Sequence, residues 1–228
     1  MIYCATMQRL ALFDLDDTLI DRQAAFRAWA EEFVTDRGLD DKALTWLIAT
    51  DAHMSGPRGP FFAAVRDEFA LRQAAGDLWQ QYRRRMPELV SCRAEDRDAL
   101  RQLRAAGWRI GIVTNGMADN QQGKIRRTGL DALVDGCCIS DEVGIRKPDP
   151  TIFQIIAQRC GTSTQRGGWM VGDDLTLDIA GGHGAGLHTI WLRPTRTFQE
   201  FTGPAPDFTT ATVTDAVQIL LTRDLPAG

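Results

Sequence analysis

A chain of 228 residues is long enough for one large domain or for a core carrying a smaller insert. Hydrophobic residues make up 44% and charged residues 25%, ordinary for a globular protein, and a net charge of −4 argues against nucleic acid as a partner. No apolar run approaches the roughly 20 residues of a membrane helix, and Met1–Leu10 lacks the charged start and long apolar stretch of a signal peptide. Five scattered cysteines without a C-x-x-C pair suit a reducing cytoplasm, with the adjacent Cys137 and Cys138 read as core packing. Among 26 basic residues only Lys42, Lys124 and Lys147 are lysines. Where arginine is the default, a retained lysine points to a task that a planar guanidinium cannot perform.

In chain order, the first short aliphatic run is Leu10–Phe13. A long interval follows, from Leu19 to about Cys92, with helical patterning and no convincing strand. Phe26, Trp29, Ala30 and Phe33 share one face, Leu44, Leu47 and Ile48 a second, and Phe62, Val65 and Phe69 a third. Ser55–Pro60, rich in glycine and proline, reads as a loop in its middle. Ala99, Leu100, Leu103 and Ala106 then mark a helix closed by Gly107, and Arg109–Val113 and Cys137–Ile139 read as strands.

Asp149-Pro150 opens another helix as N-cap and first-turn proline, with a stripe at Ile152, Phe153, Ile156, Ala157 and Cys160 that stops at Gly161. Trp169–Val171 and Thr189–Leu192 are further strands, separated by a helix end at Gly181, Gly182, Gly184 and Gly186, and Val213, Ala216, Val217 and Leu220 mark a last helix. Apolar runs this short suit strands buried on both faces of a parallel sheet. The alternation predicts a doubly wound α/β fold. Its core is expected over residues 1–19 and 93–228, and an α-helical cap over 20–92.

Open α/β sheets bind ligands beyond the carboxyl ends of their strands. After the first strand come Asp14, Asp16 and Thr18, and after the second Thr114, Asn115 and Gly116. The loop after the third leads to Lys147; after the fourth come Gly172, Asp173, Asp174 and then Asp178. Several carboxylates in one small volume repel unless a cation or a lysine offsets them. An all-oxygen set with one lysine and no convergent histidine suits Mg²⁺ better than zinc or copper. Such a centre suits a phosphoryl group: the metal and Lys147 would neutralise its oxygens, and Thr114 and Asn115 would donate hydrogen bonds to them. Of two aspartates separated by one residue, one can attack phosphorus and the other can protonate the leaving alcohol.

These segments resemble the four motifs of the haloacid dehalogenase superfamily. They are Asp14-x-Asp16-x-Thr18, then Thr114 in Ile112-Val113-Thr114-Asn115-Gly116, then Lys147 in Arg146-Lys147-Pro148-Asp149-Pro150, then Gly172-Asp173-x-x-x-x-Asp178, in the family's order. The resemblance spans roughly residues 10 to 192 and implies a Rossmann-like core with a helical cap after the first motif. It implies Asp14 as nucleophile, Asp16 as acid and base, and Mg²⁺ held by the Asp14 carboxylate, the Asp16 main-chain carbonyl and Asp173. It implies Thr114 and Lys147 on phosphate, with Asp178 supporting the metal or Lys147.

Within the family, Asp16 favours phosphatases over 2-haloacid dehalogenases, whose halide leaving group needs no proton. The form Asp-x-Asp-Asp-Thr-Leu, with Ser140-Asp141-Glu142-Val143-Gly144 before Lys147, resembles members acting on nucleoside monophosphates or acylneuraminate 9-phosphate. The expected substrate is a small phosphate monoester, such as a sugar phosphate or nucleoside monophosphate. A phosphotransferase or mutase of the same family is the alternative. A phospho-receiver domain fits poorly, since its phosphorylated aspartate follows the third strand. Thr18 is read either as support for the site or as a cap of the departing chain, and Asp174 as a solvated or helix-capping residue. Arg58 is read as exposed or as a contact for an anionic substrate. His53, His183 and His188 show no ligand spacing.

Overall fold

The computed structural model describes residues 9–54, 56–192 and 201–223. Most of Met1–Leu10, and Ser55 of the expected cap loop, lie outside them. Strands β1 (Leu10–Phe13), β2 (Arg109–Thr114), β3 (Gly136–Ile139), β4 (Trp169–Gly172), β5 (His188–Leu192) and β6 (Phe208–Thr210) form one sheet in the order β3-β2-β1-β4-β5-β6. Every pairing is parallel. The order reverses between β1 and β4, because the chain winds outwards from β1 in one direction and from β4 in the other. A crevice opens at the carboxyl ends of that pair.

Both faces of β1 are buried, which is why its sequence is continuously apolar. Leu10 and Leu12 join Val113, Phe153 and Ile156 on one face, while Ala11 and Phe13 join Val171 and Leu100 on the other. The first face is covered by α8 (Pro150–Arg159), which Asp149 caps by accepting from the Thr151 amide at 2.8 Å. The helix approaches β2 at Gly111, where a Cβ would stand 2.8 Å from Ile156 Cγ1. The other face is covered by α5 (Ala94–Ala105) and by α10 (Val213–Arg223), which pack on each other.

Among the described residues between β1 and α5 there are four helices and no strand: α1 (Arg22–Arg37), α2 (Asp41–His53), α3 (Gly59–Glu68) and α4 (Ala75–Leu89). Gly59 and Pro60, expected in the loop, instead open α3; proline is tolerated there because a first-turn N–H has no intrahelical partner. Aromatic residues join these helices, with Trp29 edge-on to Tyr82 at 5.0 Å and Phe62 5.3 Å from the same ring. Truncating a ring in such a core costs about 3–5 kcal/mol. The remaining elements are α6 (Ala118–Arg127), α7 (Ser140–Val143), a π-helical stretch Leu175–Ala180, α9 (Gly181–Gly184) and short 3-10 turns at Leu130–Ala132 and Thr164–Arg166. α4 packs along α6, so the inserted helices stand beside the crevice.

Candidate active site

Asp14 is the first residue beyond β1. Its amide donates to the Val171 carbonyl at 2.9 Å, extending the ladder between β1 and β4, so the sheet itself fixes where Asp14 stands. The chain then turns tightly: Asp17 N–H donates to Ile20 O at 2.8 Å and Ile20 N–H to Leu15 O at 3.0 Å. The turn puts Asp17 at φ +59°, a conformation that aspartate tolerates better than most residues. The Asp17 carboxylate accepts from Gln23 N–H at 3.0 Å and from Arg22 at 3.3 Å, which anchors the turn to the start of α1.

Lys147 reaches the crevice from the loop before α8, and only 4% of it is exposed. Its Nζ donates to Asp14 Oδ1 at 2.5 Å and to Asp178 Oδ1 at 2.7 Å. The other Asp178 oxygen accepts from the Asp174 amide at 3.1 Å. Asp178 also lies across Gly172, where a Cβ would stand 2.2 Å from its Oδ2; only glycine fits the end of β4. Carboxylate oxygens of Asp14, Asp173 and Asp178 lie within 4.8 Å of one another, the one such group among the described residues.

Burial pushes the Asp14 carboxyl up to about 7 against the pull of Lys147. Burial, then Asp14 and Asp178, push Asp173 up to about 9. Asp178 is also raised, by burial. Burial alone would lower Lys147, but Asp14 and Asp178 outweigh it and keep the ammonium charged. One lysine therefore does not neutralise three clustered carboxylates, two buried and one half-buried, and an all-oxygen cluster short of positive charge fits a small hard cation such as Mg²⁺.

Thr114 ends β2 and Asn115 follows it. The Asn115 side chain is engaged on both sides by the Lys147 backbone, donating to its carbonyl at 3.1 Å and accepting from its amide at 2.9 Å. It thus ties the β2 loop to the lysine loop. Thr114 Oγ1 accepts from Gln121 Nε2 at 2.7 Å, and the same nitrogen lies 3.0 Å from Asp16 Oδ2. Lys124, one turn further along α6, donates to both Asp16 oxygens at 2.8 and 2.9 Å. Burial pushes the Asp16 carboxyl up, but Lys124, Gln121 and Arg22 outweigh it and hold Asp16 below the usual carboxylate range.

Asp14, Asp16, Thr114, Asn115, Lys147, Asp173 and Asp178 all line one cavity of about 680 Å³. Thr18 does not. It lines a separate cavity of about 610 Å³, and its buried Oγ1 has no hydrogen-bond partner. Asp174 caps the π-helical stretch, accepting from Thr176 and Leu177 amides at 2.8 Å, one of the two roles expected for it. Arg58 lies in the cavity wall with 19% of its side chain exposed, paired with Asp51 at 2.6 Å. Asp51 also holds Arg22, at 2.8 Å. Sequence reasoning missed Lys124 and Gln121 as partners of Asp16; the scarcity of lysine was the available signal. His53 bonds the Ala49 carbonyl, and His183 and His188 lie beside Asp207.

Residues 8–186 match the haloacid dehalogenase-like hydrolases. The chain belongs to this family. Over 112 residues this haloacid dehalogenase-like hydrolase is 39% identical to the pyrimidine 5'-nucleotidase YjjG of Escherichia coli strain K12, covering 49% of each protein. It spans about half the length of that relative. A pyrimidine 5'-nucleotidase of Streptococcus pneumoniae, PynA, is 27% identical over 200 residues, covering 82% of this chain and 84% of PynA. The crystal structure of the HAD-hydrolase YfnB of Bacillus subtilis bound to magnesium has a TM-score of 0.75 at 26% identity, covering 94% of this chain and 99% of YfnB.

Proposed function

We propose that this hydrolase cleaves a small phosphate monoester through an aspartyl-phosphate on Asp14, with Mg²⁺ as its resident cation. The observation that carries this reading is the second carboxylate. Asp16 shares the cavity with Asp14 but is held by different partners, so the two can take different tasks. The all-oxygen cluster and the phosphatase relatives support it.

In this reading Asp14 attacks phosphorus as the ester P–O bond breaks, and Asp16, carrying the proton it took from water in the preceding turnover, delivers it to the departing alkoxide. Asp16 then takes a proton from the water that cleaves the aspartyl-phosphate, which releases inorganic phosphate and restores Asp14. Lys147 meets negative charge on the phosphoryl oxygens, and Thr114 donates to one of them. Asn115 braces Lys147 through its oxygen and one amide N–H, and its second N–H is left to donate to phosphate. The Asp14 and Asp173 carboxylates and the Asp16 carbonyl would hold Mg²⁺, with Asp178 beside them fixing Lys147. Bound Mg²⁺ draws charge from the phosphoryl oxygens and keeps the clustered carboxylates ionised.

We assign residues 20–92 as a cap that closes over a core of residues 1–19 and 93–228 and excludes water during turnover. The cavity wall it contributes combines flat rings with a cation: Trp79 stacks on Tyr82 at 5.6 Å, and Arg58 lines the same space. A planar base and an anionic phosphate suit that wall, so nucleoside monophosphates are the first class to test. The four described cysteines are free, which agrees with work in a reducing cytoplasm. Among the described residues no helix is long and apolar enough to cross a membrane. A panel of phosphate monoesters scored by phosphate release with Mg²⁺ tests the reading. Release no faster than in EDTA from every ester would overturn it.

A further inference from the structure

Asp16 is surrounded by donors. Lys124 Nζ reaches both of its oxygens at 2.8 and 2.9 Å, and Gln121 Nε2 reaches Oδ2 at 3.0 Å. Only 4% of Lys124 and 1% of Gln121 are exposed, so neither is a surface residue met by chance. The two are three residues apart on α6 and share a face of that helix. A carboxylate can only accept hydrogen bonds, which fixes the Gln121 amide with its nitrogen towards Asp16. That nitrogen also donates to Thr114 Oγ1 at 2.7 Å. The threonine hydroxyl, already accepting, is left with its own proton to give to a phosphoryl oxygen.

We propose that Lys124, with Gln121, is a positioning residue that holds Asp16 aligned as the base of the second half-reaction. The proposal rests on the aspartyl-phosphate reading above. In that step water attacks the phosphorus of phosphorylated Asp14, Asp16 takes the water's proton, and the Asp14–phosphorus bond breaks to release inorganic phosphate. A base held at both oxygens is fixed in orientation before water arrives, so no conformational freedom is lost at the moment of reaction. Lysine suits this place because its compact ammonium directs separate N–H groups to both oxygens from inside a packed helix face. Two of the chain's three lysines thus serve two of the aspartates of one motif: Lys147 holds Asp14, and Lys124 holds Asp16.

The test separates the two half-reactions. p-Nitrophenyl phosphate has a leaving group that departs without a proton, so its kcat/KM reports phosphorylation of Asp14 while slow hydrolysis of the intermediate appears in kcat. For Lys124→Met with Mg²⁺, kcat should fall about 10- to 100-fold and KM should fall with it. A burst of p-nitrophenolate should appear, and Lys124→Arg should recover part of kcat. Gln121→Met should shift kcat and KM in the same direction. KM does not depend on the fraction of folded enzyme, so partial misfolding does not hide the result. A KM for Lys124→Met within threefold of the unsubstituted protein, whether or not kcat falls, overturns the proposal. Asp14→Asn, run alongside, separates the two failures. Its retained turnover would remove the aspartyl-phosphate itself, whereas its silence beside an unmoved Lys124→Met KM would remove only the role of Lys124.

Discussion

The Lys147 ammonium stands 2.5 Å from Asp14 Oδ1 although the two residues are 133 apart in the chain, and it is the buried cation that touches the proposed nucleophile. Without it, the buried carboxylates of Asp14 and Asp178 would face each other with no cation between them. Lys147→Met should therefore destabilise the metal-free protein by about 3 kcal/mol, the cost of breaking a buried pair from one side. Urea unfolding in EDTA measures it. Added Mg²⁺ should recover part of the loss, and a midpoint equal to that of the unsubstituted protein would show that Lys147 does not offset the carboxylates.

The same cluster predicts how stability varies with pH. The Asp14 and Asp173 carboxyls are raised in the folded state, to about 7 and about 9, from ordinary values near 3.8. Groups raised on folding bind protons more tightly in the native state. Their contribution is fully present below the unfolded value and is lost as pH rises through the folded one. The metal-free protein should lose stability from pH 5 to pH 9. Saturating Mg²⁺, which favours the ionised carboxylates, should flatten that fall, as should Asp173→Asn. Urea midpoints at pH 5, 7 and 9 with EDTA or Mg²⁺ test this, and a rise across that range in EDTA would contradict it.

Gly172 ends β4 under Asp178, with no room for a methyl group between them. Gly172→Ala should push Asp178 off Lys147, cost about 1–3 kcal/mol by overpacking, and depress phosphate release. Denaturation and rate measurements on the same preparation check both, and a fully active, fully stable variant would show that Asp178 has slack.

Much of this was legible beforehand, for physical reasons that particular residues illustrate. Leu10–Phe13 and Trp169–Val171 are readable because central strands of a parallel sheet are buried on both faces. Asp149-Pro150 is readable because capping chemistry is local. The three-residue β6 was missed: its burial is partial and it has no apolar run. α4 was missed because Arg83–Arg85 and Pro87 obscure a buried face carried by Leu78, Tyr82 and Met86. The convergence of Asp14, Thr114, Lys147 and Asp173 followed from strand ends, whereas the Lys124–Asp16 pair joins residues 108 apart through a helix face that no spacing rule reveals. Thr18 was grouped with its neighbours by motif, yet the tight turn at Asp17 carries it into the other cavity.

Arg58 offers the most direct view of substrate choice. It shares Asp51 with Arg22, so an anionic substrate can draw it from that carboxylate without leaving Asp51 unpaired. Arg58→Ala should raise KM about 10-fold for an anionic monoester and change kcat less, the pattern of lost binding rather than lost chemistry. Steady-state kinetics on the best ester of the panel measure the split, and an unchanged KM would place Arg58 outside substrate recognition.

The central claim is that Asp14 is the nucleophile. Its most direct test is the rate of phosphate release from p-nitrophenyl phosphate by Asp14→Asn in saturating Mg²⁺. The amide cannot form the aspartyl-phosphate, so the rate should fall by about 1,000-fold or more while the protein remains folded. Turnover within tenfold of the unsubstituted enzyme would contradict the account.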